Sequence, residues 1–203
     1  MPFEASLYLL AAGSEGVREA IEGGVDIVQF RDKDSPDKVL FEKIEAVKAI
    51  TDAAGVPLII NDRSDLCLHF DAAGVHLGQE DMSVADARVM LGPDRIIGIS
   101  THNLELAHQV DEAGLVDYIA IGPVFHTPSK DTPVQPLGLE LLREVVVSVR
   151  TPVVAIGGIT GDNIDEVLST GVRRVAVIGG ILGGGDPGDN ARMMRASIER
   201  ATG

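Results

Sequence analysis

Eight short apolar runs, each followed by an amphipathic helical stretch, recur along the chain, and this alternation limits its fold more than any other feature. Most of the runs are near-continuous β-branched residues or leucines, as expected for strands that are buried on both faces of a parallel sheet. The predicted strands are residues 6–11, 27–31, 58–61, 74–77, 96–100, 118–122, 153–157 and 175–179. The predicted helices are residues 15–22, 36–54, 64–70, 84–91, 104–113, 138–149, 162–169 and 187–200.

Capping signals support these helix boundaries. Ser35 before Pro36 is typical of an N-cap followed by a first-turn proline. Ser83 with Asp86 resembles a capping box, and Asp162 is expected to cap the seventh helix. The glycines expected to end helices are Gly23, Gly55, Gly92, Gly114 and Gly171.

Eight strand–helix units in 203 residues predict a (β/α)8 TIM barrel, at the lower end of the size range of that fold. A doubly wound sheet of eight strands is the alternative. The hydrophobic content of 45% can fill one substantial core, and we expect a single domain over residues 1–203. In a barrel the active site is built from the loops that follow the strands, so polar residues there indicate chemistry.

The charge balance excludes several classes of partner. Lys and Arg number 17 against 31 Asp and Glu, a net charge of −14, which argues against non-specific binding to nucleic acid or an anionic membrane. Cys67 is the only cysteine, so neither an internal disulfide nor a cysteine-rich metal site is expected. The apolar residues 7–12 are too few to cross a bilayer or to form a signal peptide. We expect a cytoplasmic enzyme with small-molecule substrates, and a homo-oligomer is left open.

Two aspartates follow neighbouring predicted strands and indicate a metal site. Asp62 follows the third strand and Asp81 lies just past the fourth. The ends of adjacent parallel strands lie roughly 5 Å apart, so both carboxylates could reach one Mg²⁺. Taken singly, each aspartate could instead cap the helix that follows it. Arg63 is either a further cation of the site or an ion-pair partner for Asp81.

The end of the second strand carries cations suited to a diphosphate. Gln29, Arg31 and Lys33 alternate along the chain and could point into one barrel mouth. The alternative is a solvated strand end, with Arg31 and Lys33 paired to Asp32 and Asp34.

Other strand ends add polar groups and flexible backbone. Asn61 supplies an amide, and Ser100 a hydroxyl that could orient a heterocycle, whereas His102 is assigned no role. The long loop after the sixth strand carries Thr127, Ser129 and Lys130, whose hydroxyl and ammonium groups could bind phosphate oxygens. A surface loop without a function could have the same composition. The last two strands end in glycine pairs that let backbone N–H groups approach a phosphate, Gly157-Gly158 and Gly179-Gly180.

These motifs, taken in order, resemble the thiamine phosphate synthase family over nearly the whole chain. They are Gln29-Phe30-Arg31-Asp32-Lys33, Asn61-Asp62-Arg63, His76-Leu77-Gly78-Gln79-Glu80-Asp81, Ser100-Thr101-His102, Gly122-Pro123-Val124-Phe125, Thr127-Pro128-Ser129-Lys130 and Ile156-Gly157-Gly158-Ile159. The resemblance implies a TIM-barrel transferase that joins hydroxymethylpyrimidine diphosphate to a thiazole phosphate, with Mg²⁺ as cofactor. The products would be thiamine phosphate and diphosphate.

The resemblance also implies a role for each matched residue. The residues that would hold the pyrimidine diphosphate are Gln29, Arg31, Lys33, Asn61 and Lys130, with Ser100 on the pyrimidine amino group and Asp62 and Asp81 on the metal. Those that would hold the thiazole phosphate are Thr127, Ser129, Gly158, Ile178 and Gly179. Arg31 and Lys130 are the candidate catalytic residues, because cations stabilise the charge of a departing diphosphate.

A few positions depart from the family pattern. Ser129 stands where threonine is usual, Asp32 where glutamate is common, and Gly179 where a serine is found. The first strand ends in residues 11–13, Ala-Ala-Gly, instead of the usual Thr-Asp.

Two other functions are compatible with the same fold. One is a thiazole tautomerase, an isomerase that does not need the diphosphate and metal groups. Asp81, and the absence of a histidine at Gly122-Pro123, favour the synthase. The other is a non-catalytic barrel that senses thiazole or thiamine phosphates, and turnover would separate it from an enzyme.

Overall fold

The eight strands form a closed parallel barrel in chain order, which confirms the predicted (β/α)8 TIM barrel and excludes the doubly wound sheet. This is a computed structural model, and it describes residues 3–127 and 135–203. The strands are β1 Leu7–Ala11, β2 Ile27–Phe30, β3 Leu58–Asn61, β4 Gly74–Leu77, β5 Ile96–Thr101, β6 Tyr118–Ile121, β7 Val153–Ile156 and β8 Val175–Val177.

The helices surround this barrel. They are α1 Val17–Glu22, α2 Asp37–Ala54, α3 Ser64–His69, α4 Val84–Leu91, α5 Leu104–Ala113, α6 Gly138–Ser148, α7 Ile164–Leu168, α8 Gly179–Leu182 and α9 Pro187–Thr202. The sequence does not predict the short helix α8, because this helix begins at Gly179, the last residue of the predicted eighth strand. Among the described residues, none of these helices has the length and apolar character needed to cross a bilayer.

The capping predictions were partly right. The Ser83 side chain accepts a hydrogen bond from the Asp86 N–H, so the predicted N-cap of α4 is confirmed. Ser35 does not cap α2, since Pro36 is the cap residue and the Ser35 hydroxyl donates to Asp32 instead. Asp162 does not cap α7, whose cap residue is Asn163. The glycines that follow α1, α2, α4 and α5 are C-caps as predicted, but the C-cap of α7 is Ser169 and not Gly171.

The core has two layers separated by the sheet. Alternate strand residues, such as Leu7 and Leu9, pack outward against the helices. The intervening residues pack inside the barrel with Phe3, and they include Tyr8, Leu10, Ile27, Ile59, Tyr118, Ala120, Val154 and Ala176. The upper residues of this inner layer form the floor of the site.

Gly98 in β5 makes room for a ring in the barrel interior. It pairs with Tyr118 of β6, and a Cβ on Gly98 would lie 2.0 Å from Tyr118 Cζ. We therefore expect Gly98→Ala to lower the free energy of unfolding by about 1–3 kcal/mol, because the overpacked ring must move. Urea unfolding would measure this, with Gly13→Ala as the control, since a Cβ at Gly13 meets nothing within 4 Å. Equal loss in both variants would show that the Gly98 contact is not limiting.

Candidate active site

A cavity of about 400 Å³ lies at the carboxyl ends of the strands, within the roughly 300–1,000 Å³ of small-molecule sites. Ten residues assigned to the site from sequence line it, namely Gln29, Arg31, Lys33, Asn61, Asp62, Ser100, Thr127, Gly158, Ile178 and Gly179. Residues on its wall that had no assigned role include Tyr8, His76, His102, Tyr118 and His126. Ser129 and Lys130 lie outside the described residues.

Asp62 and Asp81 meet as expected from neighbouring strands. Strand β3 pairs with β4, and the Asp62 N–H donates to the His76 carbonyl oxygen over 2.8 Å. The Asp81 carboxyl lies close enough to that of Asp62 for the two to interact electrostatically, and it accepts from the Gly78 N–H at 2.7 Å. Neither aspartate caps a helix, since α3 has no side-chain cap and Ser83 caps α4. The helix-cap alternative is therefore wrong for both.

The electrostatics of this pair leave negative charge to be compensated. Partial burial, and then the adjacent Asp62 carboxylate, raise the pKa of Asp81 above its usual value. A bound cation would relieve both effects. The described part of the chain contains no group of three or more His, Cys, Asp or Glu side chains able to enclose a metal. Two carboxylates suit Mg²⁺, which keeps several waters and takes further ligands from substrate phosphates.

The loop after β2 directs its cations toward the cavity. Lys33 forms an ion pair with Asp62 at 2.8 Å. Asp32 instead pairs with Lys43 and accepts hydrogen bonds from the N–H groups of Asp34 and Ser35. Burial alone would raise the pKa of Asp32, but the hydrogen bonds, led by that from Lys43, hold it well below its usual range.

This arrangement contradicts the solvated strand end considered for the second strand. Lys33 does not pair with Asp32 or Asp34, and Arg31 lines the cavity without an ion pair to any other side chain that the structure describes. Asp32 holds the loop in place from its outer side. Arg31 and Lys33 are left at the cavity, where an anionic ligand would meet them.

Arg63 has a different role from the one considered for it. Its guanidinium pairs with Asp65 at 2.7 Å and with Asp37 at 3.0 Å, and does not reach Asp81. The hydrogen bonds to Asp65 and Asp37 raise the pKa of Arg63 further. Arg63 therefore links the start of α3 to the start of α2 beside the site.

A row of hydrogen-bonded side chains crosses the floor of the cavity. Gln29 Nε2 donates to Tyr8 Oη at 3.0 Å, and Tyr8 Oη lies 2.9 Å from Tyr118 Oη. His76 continues the row, with Nδ1 2.9 Å from Tyr118 Oη and Nε2 2.9 Å from Ser100 Oγ. Burial raises the pKa of both tyrosines, so their hydroxyls stay protonated.

The sequence carried one usable signal for this row. His76 is a polar residue inside a buried strand, and Tyr8 and Tyr118 hold corresponding inward positions in their own strands. Which of them touch one another depends on the closure of the barrel, which brings residues 110 positions apart together.

Glycines that follow β7 and β8 shape another side of the cavity. Gly158 has a φ of 67°, and a Cβ there would lie 2.6 Å from the His126 carbonyl oxygen. Gly179 begins α8, and a Cβ there would meet nothing within 4 Å. The first N–H groups of a helix have no acceptor within the helix, so this backbone can donate to an anion.

Known proteins have sequences similar to that of this chain. A family model described as thiamine monophosphate synthase matches residues 8–181. The chain is 43% identical over 188 residues to a thiamine-phosphate synthase of Shouchella clausii, covering 93% of this chain and 90% of that one. It is 41% identical over 184 residues to the thiamine-phosphate synthase of Halalkalibacterium halodurans, covering 91% and 87% of the two chains.

Solved structures agree with the sequence comparison. Thiamine phosphate pyrophosphorylase from Pyrococcus furiosus superposes with a TM-score of 0.88 at 38% identity, covering 98% of each chain. A 3-hexulose-6-phosphate synthase superposes with a TM-score of 0.66 at 18% identity, which indicates a shared fold alone.

Proposed function

We propose a reaction for this chain from the premise that it belongs to the thiamine monophosphate synthase family. It is a transferase of thiamine biosynthesis that joins hydroxymethylpyrimidine diphosphate to a thiazole phosphate, giving thiamine phosphate and diphosphate. The observation that carries the proposal is one cavity lined by Arg31, Lys33 and Asp62, with Asp81 in contact with Asp62. Cations and a carboxylate pair at one barrel mouth suit a metal-bound diphosphate.

The carboxylate pair supports Mg²⁺ as the cofactor. Asp62 and Asp81 would hold it, because their oxygens are the hard ligands that Mg²⁺ prefers and their mutual contact calls for positive charge. When bound, Mg²⁺ would stabilise the negative charge of the leaving diphosphate. Lys33 now pairs with Asp62, so it would exchange this partner for diphosphate oxygens when substrate and metal enter.

The chemistry needs stabilisation of charge and no protein nucleophile. The bond between the pyrimidine methylene carbon and the diphosphate oxygen breaks, and its electron pair leaves with the diphosphate. The thiazole nitrogen gives its lone pair to that carbon and forms the new bond. Arg31, Lys33 and Lys130 would neutralise the leaving group, while the electron-rich aminopyrimidine supports the carbon.

The thiazole phosphate is proposed to bind on the glycine side of the cavity. Thr127, Gly158, Ile178 and Gly179 line that side, and backbone N–H groups there can donate to phosphate oxygens. By sequence alone, Ser129 is assigned to the thiazole phosphate and Lys130 to the pyrimidine diphosphate. Their roles stay predictions.

Gly179 offers a test of this subsite. Gly179→Ser should be tolerated or modestly lower KM for the thiazole phosphate, because the position is sterically open and a hydroxyl adds a donor. Gly179→Asp should raise that KM about tenfold or more through like-charge repulsion, with little change in KM for the pyrimidine diphosphate. Steady-state kinetics with each substrate varied in turn would measure both values.

The neighbouring glycine is a matched control. A Cβ on Gly180 would lie 2.6 Å from the Ile159 carbonyl oxygen, so Gly180→Ser should disturb the fold where Gly179→Ser does not. An unchanged KM for the thiazole phosphate in Gly179→Asp would place the phosphate elsewhere.

Incubation of the purified chain with both substrates and Mg²⁺ tests the proposed function. We expect thiamine phosphate to accumulate only when both substrates are present, as measured by chromatography and mass spectrometry. Isomerisation of the thiazole phosphate without pyrimidine diphosphate would indicate the tautomerase. Binding of both ligands without turnover would indicate the sensor.

The setting of the protein is proposed more coarsely. Several properties stay predictions from the sequence. They are a cytoplasmic location, the absence of nucleic-acid and membrane partners, and a single domain over residues 1–203. The sequence leaves open whether the protein is a homo-oligomer. Small-molecule substrates follow from the family.

A further inference from the structure

The hydrogen-bonded row on the cavity floor is a built feature of the barrel. Its five members come from five strands, and each bond measures 2.9 or 3.0 Å. Phe3 stacks on the Tyr118 ring at 4.4 Å, and Gly98 lacks the Cβ that would strike the same ring. Packing thus holds the ring of Tyr118, the middle member, where its hydroxyl can bond to both Tyr8 and His76.

The chemistry of its members makes the row directional. A tyrosine hydroxyl has one proton to donate, and a neutral imidazole donates from one nitrogen and accepts at the other. If Tyr8 accepts from the Gln29 amide, it donates to Tyr118, which donates to His76 Nδ1. His76 Nε2 then donates to Ser100 Oγ, and the Ser100 proton is free for a ligand.

The opposite direction is equally consistent with the distances. When the Gln29 amide is turned over, its oxygen accepts from Tyr8 and every later donation reverses. Ser100 then donates to His76 and presents only a lone pair. The state of Ser100 is therefore fixed by the orientation of an amide on another strand.

The two ends of the row both lie on the cavity wall. Gln29 and Ser100 line the cavity, and Gln29 Oε1 is buried with no hydrogen-bond partner among the described residues. A buried polar atom without a partner is costly, so it marks a position where a ligand group completes the site. In the first direction Gln29 offers an acceptor and Ser100 a donor, and in the second direction these roles exchange.

We propose that Tyr8, Tyr118 and His76 are positioning residues that couple Gln29 to Ser100, so that the cavity floor always presents one donor and one acceptor. This inference rests on the proposed function. An aminopyrimidine carries the matching pair, because its amino group donates and its ring nitrogens accept. A pyrimidine that offers only acceptors to Gln29 and Ser100 is matched by neither direction of the row, so the row selects the amino compound.

Ligand discrimination measures the coupling directly. The probes are the pyrimidine diphosphate with its amino group and the same compound with methoxy in place of amino, which has two acceptors. Their Kd values are measured by calorimetry without the thiazole phosphate. Wild type should bind the methoxy compound about 30-fold more weakly, the effect of one unmatched buried polar group. In Tyr118→Phe the ratio should fall to about threefold, because Gln29 and Ser100 can then both donate.

Two further variants separate coupling from packing. Tyr8→Phe breaks the row at another point and should reduce the ratio in the same way, which also covers a failure of Tyr118→Phe to fold. Phe3→Leu changes the packing under Tyr118 but removes no hydrogen bond, so its ratio should stay at the wild-type value.

The outcomes distinguish this inference from the proposed function. If wild type binds the amino compound but the ratio is unchanged in both tyrosine variants, the coupling is overturned and the function stands. An equal fall in Phe3→Leu would also overturn the coupling, because packing alone would then explain the result. If wild type fails to bind the amino compound, the proposed function falls and the inference falls with it.

Discussion

Replacing Asp62 or Asp81 by asparagine should lower kcat about 100-fold or more while the barrel stays folded. Each change keeps the shape of the side chain but removes charge from a proposed metal site, where a cation supplies several kcal/mol of stabilisation. Asparagine also suits the backbone at Asp62, whose φ of 61° lies in the left-handed region. Steady-state assays at several Mg²⁺ concentrations would measure the loss, and EDTA should reproduce it in the wild type.

Asp94→Asn is the matched control, because Asp94 is exposed and does not line the cavity. It should retain wild-type kcat. Thermal unfolding of all three variants would show whether the losses arise from the site or from the fold. Full activity of Asp62→Asn or Asp81→Asn at limiting Mg²⁺ would remove the metal assignment.

Arg31→Ala and Lys130→Ala should each lower kcat/KM for the pyrimidine diphosphate about 100-fold, because each loses a cation proposed to stabilise the departing diphosphate. Arg31 is well placed for this role, since it lines the cavity and pairs with no described side chain. Lys130 is assigned from sequence alone. Competition with diphosphate should weaken in parallel, because product and leaving group share these contacts.

Arg18→Ala controls for the loss of a positive charge. Arg18 is exposed on α1, outside the cavity, and its removal should leave kcat/KM unchanged. If Lys130→Ala alters only thermal stability, the loop after β6 has a structural role and the leaving group is stabilised without it.

The ends of the strands could be predicted well from the sequence, because buried parallel strands are near-continuous apolar runs. Asp62 and Asp81 were placed together from that pattern alone, and the pairing of β3 with β4 confirms the reasoning. Local competition for hydrogen bonds could not be predicted. Ser35 gives its hydroxyl to Asp32 instead of capping α2, and Arg63 finds Asp37 and not Asp81.

The hydrogen-bonded row on the cavity floor could not be predicted from the sequence, for a different reason. Tyr8 and Tyr118 meet only because the sheet closes, and their contact depends on the register of every strand between them. Periodicity gives the face on which a residue lies but not its partner across a barrel. The short helix α8 was missed because its apolar residues continue those of β8.

The stoichiometry of the reaction tests the central claim most directly. Purified protein with Mg²⁺ and both substrates should release diphosphate and form thiamine phosphate in equal amounts, followed in the same samples by mass spectrometry. Equal amounts would show that the bond to diphosphate breaks in a transfer to the thiazole. Diphosphate release without thiamine phosphate, or no release at all, would contradict the proposed function.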